Sequence, residues 1–195
     1  MLLCGSCRSR LRSPSAPADR FLIADAVVTV GERFRLALAA YAYEGPMRRA
    51  LAALKYGGVA SVAPVLAELA VPTLDRVRAI SGKATLVPVP VHAERLAARG
   101  YDQAGLLADA LGRCSRLPVT ASLVRVRATT KQHRLDRAAR LRNLRGAFDL
   151  RGRAPSAAIL VDDIITTTAT LEACAGVLVD GGCDAVFGLA IAREV

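Results

Sequence analysis

Two adjacent carboxylates, Asp162 and Asp163, end an apolar run at 157–161, and four threonines follow within residues 166–170. The apolar run reads as a buried strand. The pattern after Thr170 turns helical, with Leu171, Cys174, Ala175, Leu178 and Val179 on one face. Acids at the carboxyl end of a strand, beside a strand-to-helix turn, stand where open parallel sheets bind ligands. Free backbone N–H groups at a helix start attract an anion with help from the helix dipole, and threonine hydroxyls add donors. One turn therefore offers donors to a phosphate and, next to it, acceptors to sugar hydroxyls. That combination fits a ribose 5-phosphate. The carboxylates could also hold Mg²⁺, usually through water. The plainer alternative is a strand that ends in two acids before a threonine-rich helix start.

The elements that must position these groups are legible around them. Strand, turn, helix and strand follow one another from 157 to 192, a βαβ unit whose continuous apolar strands suit a parallel sheet covered on both faces. Gly181-Gly182 stop its helix. Upstream, Gly45-Pro46 open a helix through Met47, Ala50, Leu51 and Leu54 that Gly57-Gly58 end, and a second helix is expected over 62–74. "ATLVPVPV" (84–91) reads as a short buried strand. "HAERLAARGYDQAGLLADALGR" (92–113) carries Ala104, Leu107, Ala108 and Leu111 on one helical face. "VTASLVRV" reads as a strand, and residues 127–148 as a basic loop leading into a short helix. Residues 1–20 look like a poorly ordered lead-in, rich in Ser, Pro and Arg. Residues 21–43 contain two segments that could be strands of an antiparallel lid or hairpin.

A chain of 195 residues suits one α/β domain with a small appendage, and 53% hydrophobic residues are ample for its core. Aromatics are scarce at 4%, with no Trp, which argues against many base-stacking platforms. The net charge of +10, carried mostly by arginine, suits anionic partners: phosphates, nucleic acid or an acidic protein surface. A GC-rich genome that favours Arg and Ala would leave the same mark. Five cysteines do not form an even disulfide framework, and Cys114, Cys174 and Cys183 read as buried thiols. No apolar run reaches the ~18 residues of a membrane span, and the opening residues do not read as a signal peptide. The expectation is a cytoplasmic protein without membrane insertion. No Ser-His-Asp or cysteine-nucleophile arrangement is visible.

"ILVDDIITTTAT" resembles the 5-phosphoribosyl diphosphate (PRPP) motif of type I phosphoribosyltransferases. With "YAYEGPMRRALAALKYGG", "LVPVPVHAERLAARGYDQA" and "TTKQHRLDRAARLRNLRGAF", in this order, it resembles the ComF family, also called the GntX family, over roughly 41–192. The resemblance implies a type I phosphoribosyltransferase fold: an α/β domain with a central parallel sheet of about five strands, helices on both faces and a small hood. It divides the chain into an amino-terminal segment and hood at 1–40 and the phosphoribosyltransferase-like domain at 41–195. It also implies a site. Asp162 and Asp163 would face the ribose hydroxyls, while Thr166, Thr167, Thr168, Ala169 and Thr170 wrap the 5-phosphate. Val91 and His92 would lie near the pyrophosphate, with Arg95 and Arg99 close by, whose planar guanidinium groups suit phosphate oxygens. Arg127, Thr130 (or its neighbour Thr129), Gln132, Arg140 and Asn143 match a region where such enzymes carry a mobile loop that closes over PRPP, with Arg127 in a catalytic role beside the two aspartates. Lys55, Gln103, Lys131, Gln132, Arg140 and Asn143 are candidate contacts to pyrophosphate or nucleic-acid phosphates. The stretch 125–153 holds ten Lys/Arg and two acids, which also fits a solvated basic face. Mg²⁺ would accompany PRPP.

Three departures stand out. Thr168 occupies a position where the family usually has Gly, so a Cβ there is expected to strain the turn or narrow the phosphate pocket. Asp102 replaces the usual Asn. Many members begin with a zinc ribbon of two CxxC pairs, of which only Cys4 and Cys7 remain, so zinc is not expected. The resemblance associates the chain with natural competence, with single-stranded DNA and a helicase-like partner. Three functions compete: a phosphoribosyltransferase with an unread acceptor, a module that binds PRPP or single-stranded DNA without catalysis, and a partner-docking protein that retains only the fold.

Overall fold

The computed structural model describes residues 3–14, 22–23, 26–127, 143–144 and 146–194. Its centre is a mostly parallel sheet. Four parallel strands lie side by side in the order β3 (Ala37–Ala42), β8 (Ala185–Arg193), β7 (Ala157–Ile165) and β4 (Thr85–Pro88). Beyond β3 the sheet continues antiparallel through β2 (Ala26–Thr29) and β1 (Leu22–Ile23). Beyond β4, Val119 adds a single parallel bridge to Leu86. A separate antiparallel pair joins β5 (Leu123–Arg125) to β6 (Phe148–Leu150).

Helices cover both faces. α2 (Gly45–Tyr56), α3 (Ala63–Ser81) and α5 (Gln103–Ser115) bury Leu51, Leu54, Leu66, Leu74, Leu107 and Leu111 against Ile159, Val161 and Phe187. α6 (Ala169–Asp180) and the β5–β6 pair cover the other face, where Leu171, Cys174 and Leu178 meet Ala158, Leu160 and Phe148. Each fully buried leucine is worth about 1.5–3 kcal/mol relative to an exposed one. β7 and β8 are apolar on both sides because both sides are covered, which is why their sequences run apolar without alternation. At Gly188 a Cβ would stand 2.7 Å from the Cβ of Ala37, so glycine lets β8 approach β3.

The expected α2, the βαβ unit and the buried faces of α5 and α6 are all present. Several expectations need correction. The segment at 37–42 forms the expected antiparallel hairpin with β2 but is no lid strand: all but two of its residues are buried, and it also pairs with β8 inside the main sheet. The second helix runs to Ser81, beyond 74. The run 92–113 is two helices, α4 (Ala93–Arg99) and α5, separated at Gly100, whose φ of 80° reverses the chain. Part of the lead-in is docked. Leu3 is buried, a short helix α1 (Gly5–Arg8) follows, and the carbonyl of Arg12 accepts from the amide of Ala42. Cys174 and Cys183 are buried, but Cys114 is exposed, on the solvent side of the last turn of α5. Among the described residues no helix is long and apolar enough to cross a membrane.

Candidate functional site

β7 carries Asp162 and Asp163 at its carboxyl end. The amide of Val89 donates to the carbonyl of Val161 at 2.9 Å, which seats the loop after β4 beside them. Alternation along β7 sends Ile159 and Val161 to the α2 face and Ala158 and Leu160 to the α6 face, so Asp163 follows the first pair and Asp162 the second. The contacts agree. Lys55 of α2 places its Nζ 3.1 Å from Asp163 Oδ1, and both side chains are largely buried. Asp162 bears electrostatically on Arg125 and Cys174, from β5 and α6.

Burial of the Asp162 carboxyl, and then the charge of Asp163 beside it, push its pKa up to about 8, against the pull of Lys55. Asp162 nonetheless keeps some solvent contact as a residue. Its Oδ1 accepts from the amide of Asp163 at 2.8 Å. Asp163 is 4% exposed, and its Oδ2 is buried without a hydrogen-bond partner among the described residues. The same holds for Oγ1 of Thr168, which is 5% exposed. Buried polar atoms are nearly always paired, so two orphans at one strand end are a local anomaly.

The turn that follows is ordinary in its backbone. Thr168 is the N-cap of α6 with φ −71° and ψ −3°, a right-handed conformation open to any residue. The expected strain from a Cβ at this position is therefore absent. Its hydroxyl does not cap the helix, and no other cap is made by its side chain. Thr166 is exposed, Thr167 and Thr170 are partly buried, and Ala169 is buried.

Around the loop after β4, the amide of Val91 is engaged by the carboxylate of Asp102, which also accepts from Ala104 and Gly105. Asp102 thus caps α5 and ties the loop down, and burial raises its pKa despite these three donors. Asp in place of Asn serves the same acceptor role. His92 caps α4, its Nδ1 accepting from the amide of Glu94 at 3.3 Å.

Lys55, Arg95 and Arg99 converge on one cavity of about 410 Å³, together with Tyr56 and Tyr101. Gln103 Oε1 accepts from Arg99 Nη1 at 2.7 Å, and the Arg99 guanidinium lies 5.4 Å from the centre of the Tyr56 ring. Arg127 donates to the carbonyl of Asn143 at 2.8 Å, so these two meet each other. Thr129, Thr130, Lys131, Gln132 and Arg140 lie outside the described residues.

Reasoning from sequence missed the two tyrosines, although each neighbours a flagged basic motif ("LKYGG" and "RGYDQA"). It also missed Glu172. This buried carboxylate on α6 accepts the amides of Glu32 and Arg33 at 2.9 and 3.0 Å, and so holds the loop before β3. At the amino terminus the Cys4 thiol is lowered to about 7, first by the hydroxyl of Ser6 and then by the amide and thiol of Cys7. Among the described residues no group of three or more His, Cys, Asp or Glu is gathered to hold a metal ion.

No protein-family model matches the chain. Individual proteins do. The chain is 32% identical over 152 residues to the DNA utilization protein YhgH of Escherichia coli, covering 74% of this chain and 66% of that one. It is 36% identical over 129 residues to Competence protein F of Haemophilus influenzae, covering 63% and 56%. It is 32% identical over 144 residues to Competence protein ComFC of Bacillus subtilis, covering 73% and 57%. The matches thus span between 56% and 66% of the length of these curated relatives. Four motifs in one order and these relatives place the chain in the ComF family.

Proposed function

We propose that this chain binds PRPP at the carboxyl end of β7 and serves in the use or uptake of DNA. The observation that carries the binding reading is the pair of orphaned buried atoms, Asp163 Oδ2 and Thr168 Oγ1, at the strand end and the turn that follows it. A ribose hydroxyl would donate to the first, and a phosphate oxygen would accept from the second. The amides at the start of α6 would complete the phosphate site. Lys55 holds Asp163 in place through an ion pair of 3.1 Å.

The residues fit a magnesium ion that arrives on its substrate. With Lys55 on one oxygen of Asp163, the protein has Asp163 Oδ2 to offer, and the Asp162 carboxyl once the ion displaces its proton, and the remaining ligands would be PRPP oxygens and water. Bound there, Mg²⁺ would neutralise charge on the departing pyrophosphate. Transfer of the phosphoribosyl group would then rest on positioning, which asks for no covalent nucleophile from the chain. The DNA-linked role rests on relatives whose names are DNA utilization protein and competence protein. The net charge of +10 supports a second, non-exclusive reading in which the chain also contacts DNA phosphates.

Calorimetry with PRPP and Mg²⁺ tests the site. Saturable binding is expected, weakened about tenfold or more by Asp163→Asn, a loss of one charge-assisted hydrogen bond. A folded Asp163→Asn protein with unchanged affinity would remove the assignment.

A further inference from the structure

Cys4 and Cys7 belong to no part of the site at the end of β7. A structural zinc normally takes four ligands, and among the described residues no third His, Cys, Asp or Glu is gathered with them. What stands there is a pair of thiols in a well-formed turn. The carbonyl of Cys4 accepts the amides of Cys7 and Arg8, both at 2.9 Å. A hydrogen-bonded turn keeps residues three apart within about 7 Å at Cα, and a disulfide bridges roughly 4.4–6.8 Å. The two sulfurs are already within hydrogen-bond reach, since the thiol of Cys7 donates to that of Cys4. Ser6 Oγ stands 3.1 Å from the Cys4 sulfur. The pair is also asymmetric. Cys7 packs against the core cluster that holds Leu3, with Leu11 beside it in the same segment. Gly5 and Ser6 are exposed, and a Cβ at Gly5 would meet nothing within 4 Å, so the turn is open to a molecule approaching Cys4. With its pKa lowered to about 7, Cys4 is thiolate in a large fraction of molecules at neutral pH.

We infer that Cys4 and Cys7 form a dithiol–disulfide pair that exchanges with small-thiol disulfides of the glutathione class, with Cys4 as the attacking sulfur and Cys7 as the resolving one. The Cys4 thiolate attacks one sulfur of glutathione disulfide. The S–S bond of that molecule breaks, and one glutathione leaves as a thiolate with the electron pair. Cys7 then gives up its proton, and its sulfur attacks Cys4 in the mixed disulfide. The second glutathione leaves as a thiolate, and both thiolates take up protons. The dithiol is oxidised by two electrons, and glutathione disulfide is reduced by the same two. Excess glutathione runs the steps backwards. None of this depends on the PRPP reading.

The test equilibrates the full chain with mixtures of glutathione and glutathione disulfide, alkylates the remaining thiols and weighs the tryptic peptides. Peptide 1–8 holds Cys4 and Cys7 and no other cysteine. It is expected to pass from two alkylated thiols to one internal disulfide as the share of glutathione disulfide rises, and to return when the mixture is reversed. At pH 7 the folded chain should oxidise about threefold faster than the isolated peptide 1–8. That factor is the net of a larger thiolate fraction at a pKa of about 7 and the lower nucleophilicity that accompanies it. Cys7→Ser should retain one glutathione on Cys4 as a mixed disulfide. Cys4→Ser should acquire glutathione at Cys7 about threefold or more slowly, because Cys7 packs against the core. A dithiol that persists in the most oxidising mixture would overturn the inference. So would a folded chain that reacts no faster than the peptide, or equal trapping at the two positions. Zinc that protects both thiols at one ion per two chains would also overturn it, by making the pair half of a shared metal site.

Discussion

Asp162 and Asp163 are neighbours in sequence, yet they have different electrostatic tasks. Asp163 is held by Lys55, while Asp162 carries the cost of burial next to another carboxylate. The pKa of Asp162 is raised from the ordinary aspartate range to about 8, so the folded protein keeps a proton that the unfolded chain releases near pH 4. The contribution of this group to stability is therefore fully present below about pH 4 and is lost as pH rises toward 8. Urea unfolding of the protein and of Asp162→Asn across that window should diverge. The variant should gain up to about 4 kcal/mol over the parent between pH 4 and pH 7, about 1.4 kcal/mol for each pH unit. Parallel stability curves would mean that Asp162 is ionised throughout.

At the level of elements, the turn between β7 and α6 is built by threonine rather than glycine. Its right-handed backbone at Thr168 leaves nothing for a glycine to relieve. Thr168→Gly should therefore destabilise the protein by roughly 0.5–1 kcal/mol through added freedom of the unfolded chain. Thermal unfolding would show it as a lowered midpoint, and a raised midpoint would reveal hidden strain. The loop after β4 is held by a different device. The single carboxylate of Asp102 binds Val91 and caps α5, so the break at Gly100 does not loosen the contact between loop and helix. On the far side of the sheet, Glu172 holds the loop before β3 in a comparable way.

For the whole molecule, the charge of +10 is the dominant long-range property. Contacts with single-stranded DNA made through this charge release counterions, so their affinity must fall steeply with salt. Fluorescence anisotropy with a labelled single-stranded oligonucleotide should show binding that weakens about tenfold or more over a fourfold rise in salt, as three or more phosphate contacts require. Salt-independent binding would point away from phosphate contacts, and no binding at low salt would remove the second reading. Arg95, Arg99 and Lys55 contribute to this charge from one cavity, whereas the basic residues Lys131 and Arg140 lie outside the described residues.

The features legible in the bare order of residues are local and periodic. The apolar run before Asp162, the helical spacing after Thr170, the Gly45-Pro46 helix start and the order of four motifs each follow from neighbouring residues and short-range chemistry. They sufficed for the α/β class, the βαβ unit around the carboxylates and the family. Tertiary structure alone decided which residues from distant segments meet. No local pattern says that Lys55 of α2 pairs with Asp163 of β7, or that Tyr56 and Arg99 share one cleft. Nor does any local pattern put the 37–42 strand between β2 and β8. The conformation at Thr168 belongs to the same class, since a threonine can follow several turn geometries and the packing of α6 against the sheet selects one. Pairings across long sequence separations depend on which faces the whole chain can bury at once, and that condition exists only in the folded molecule.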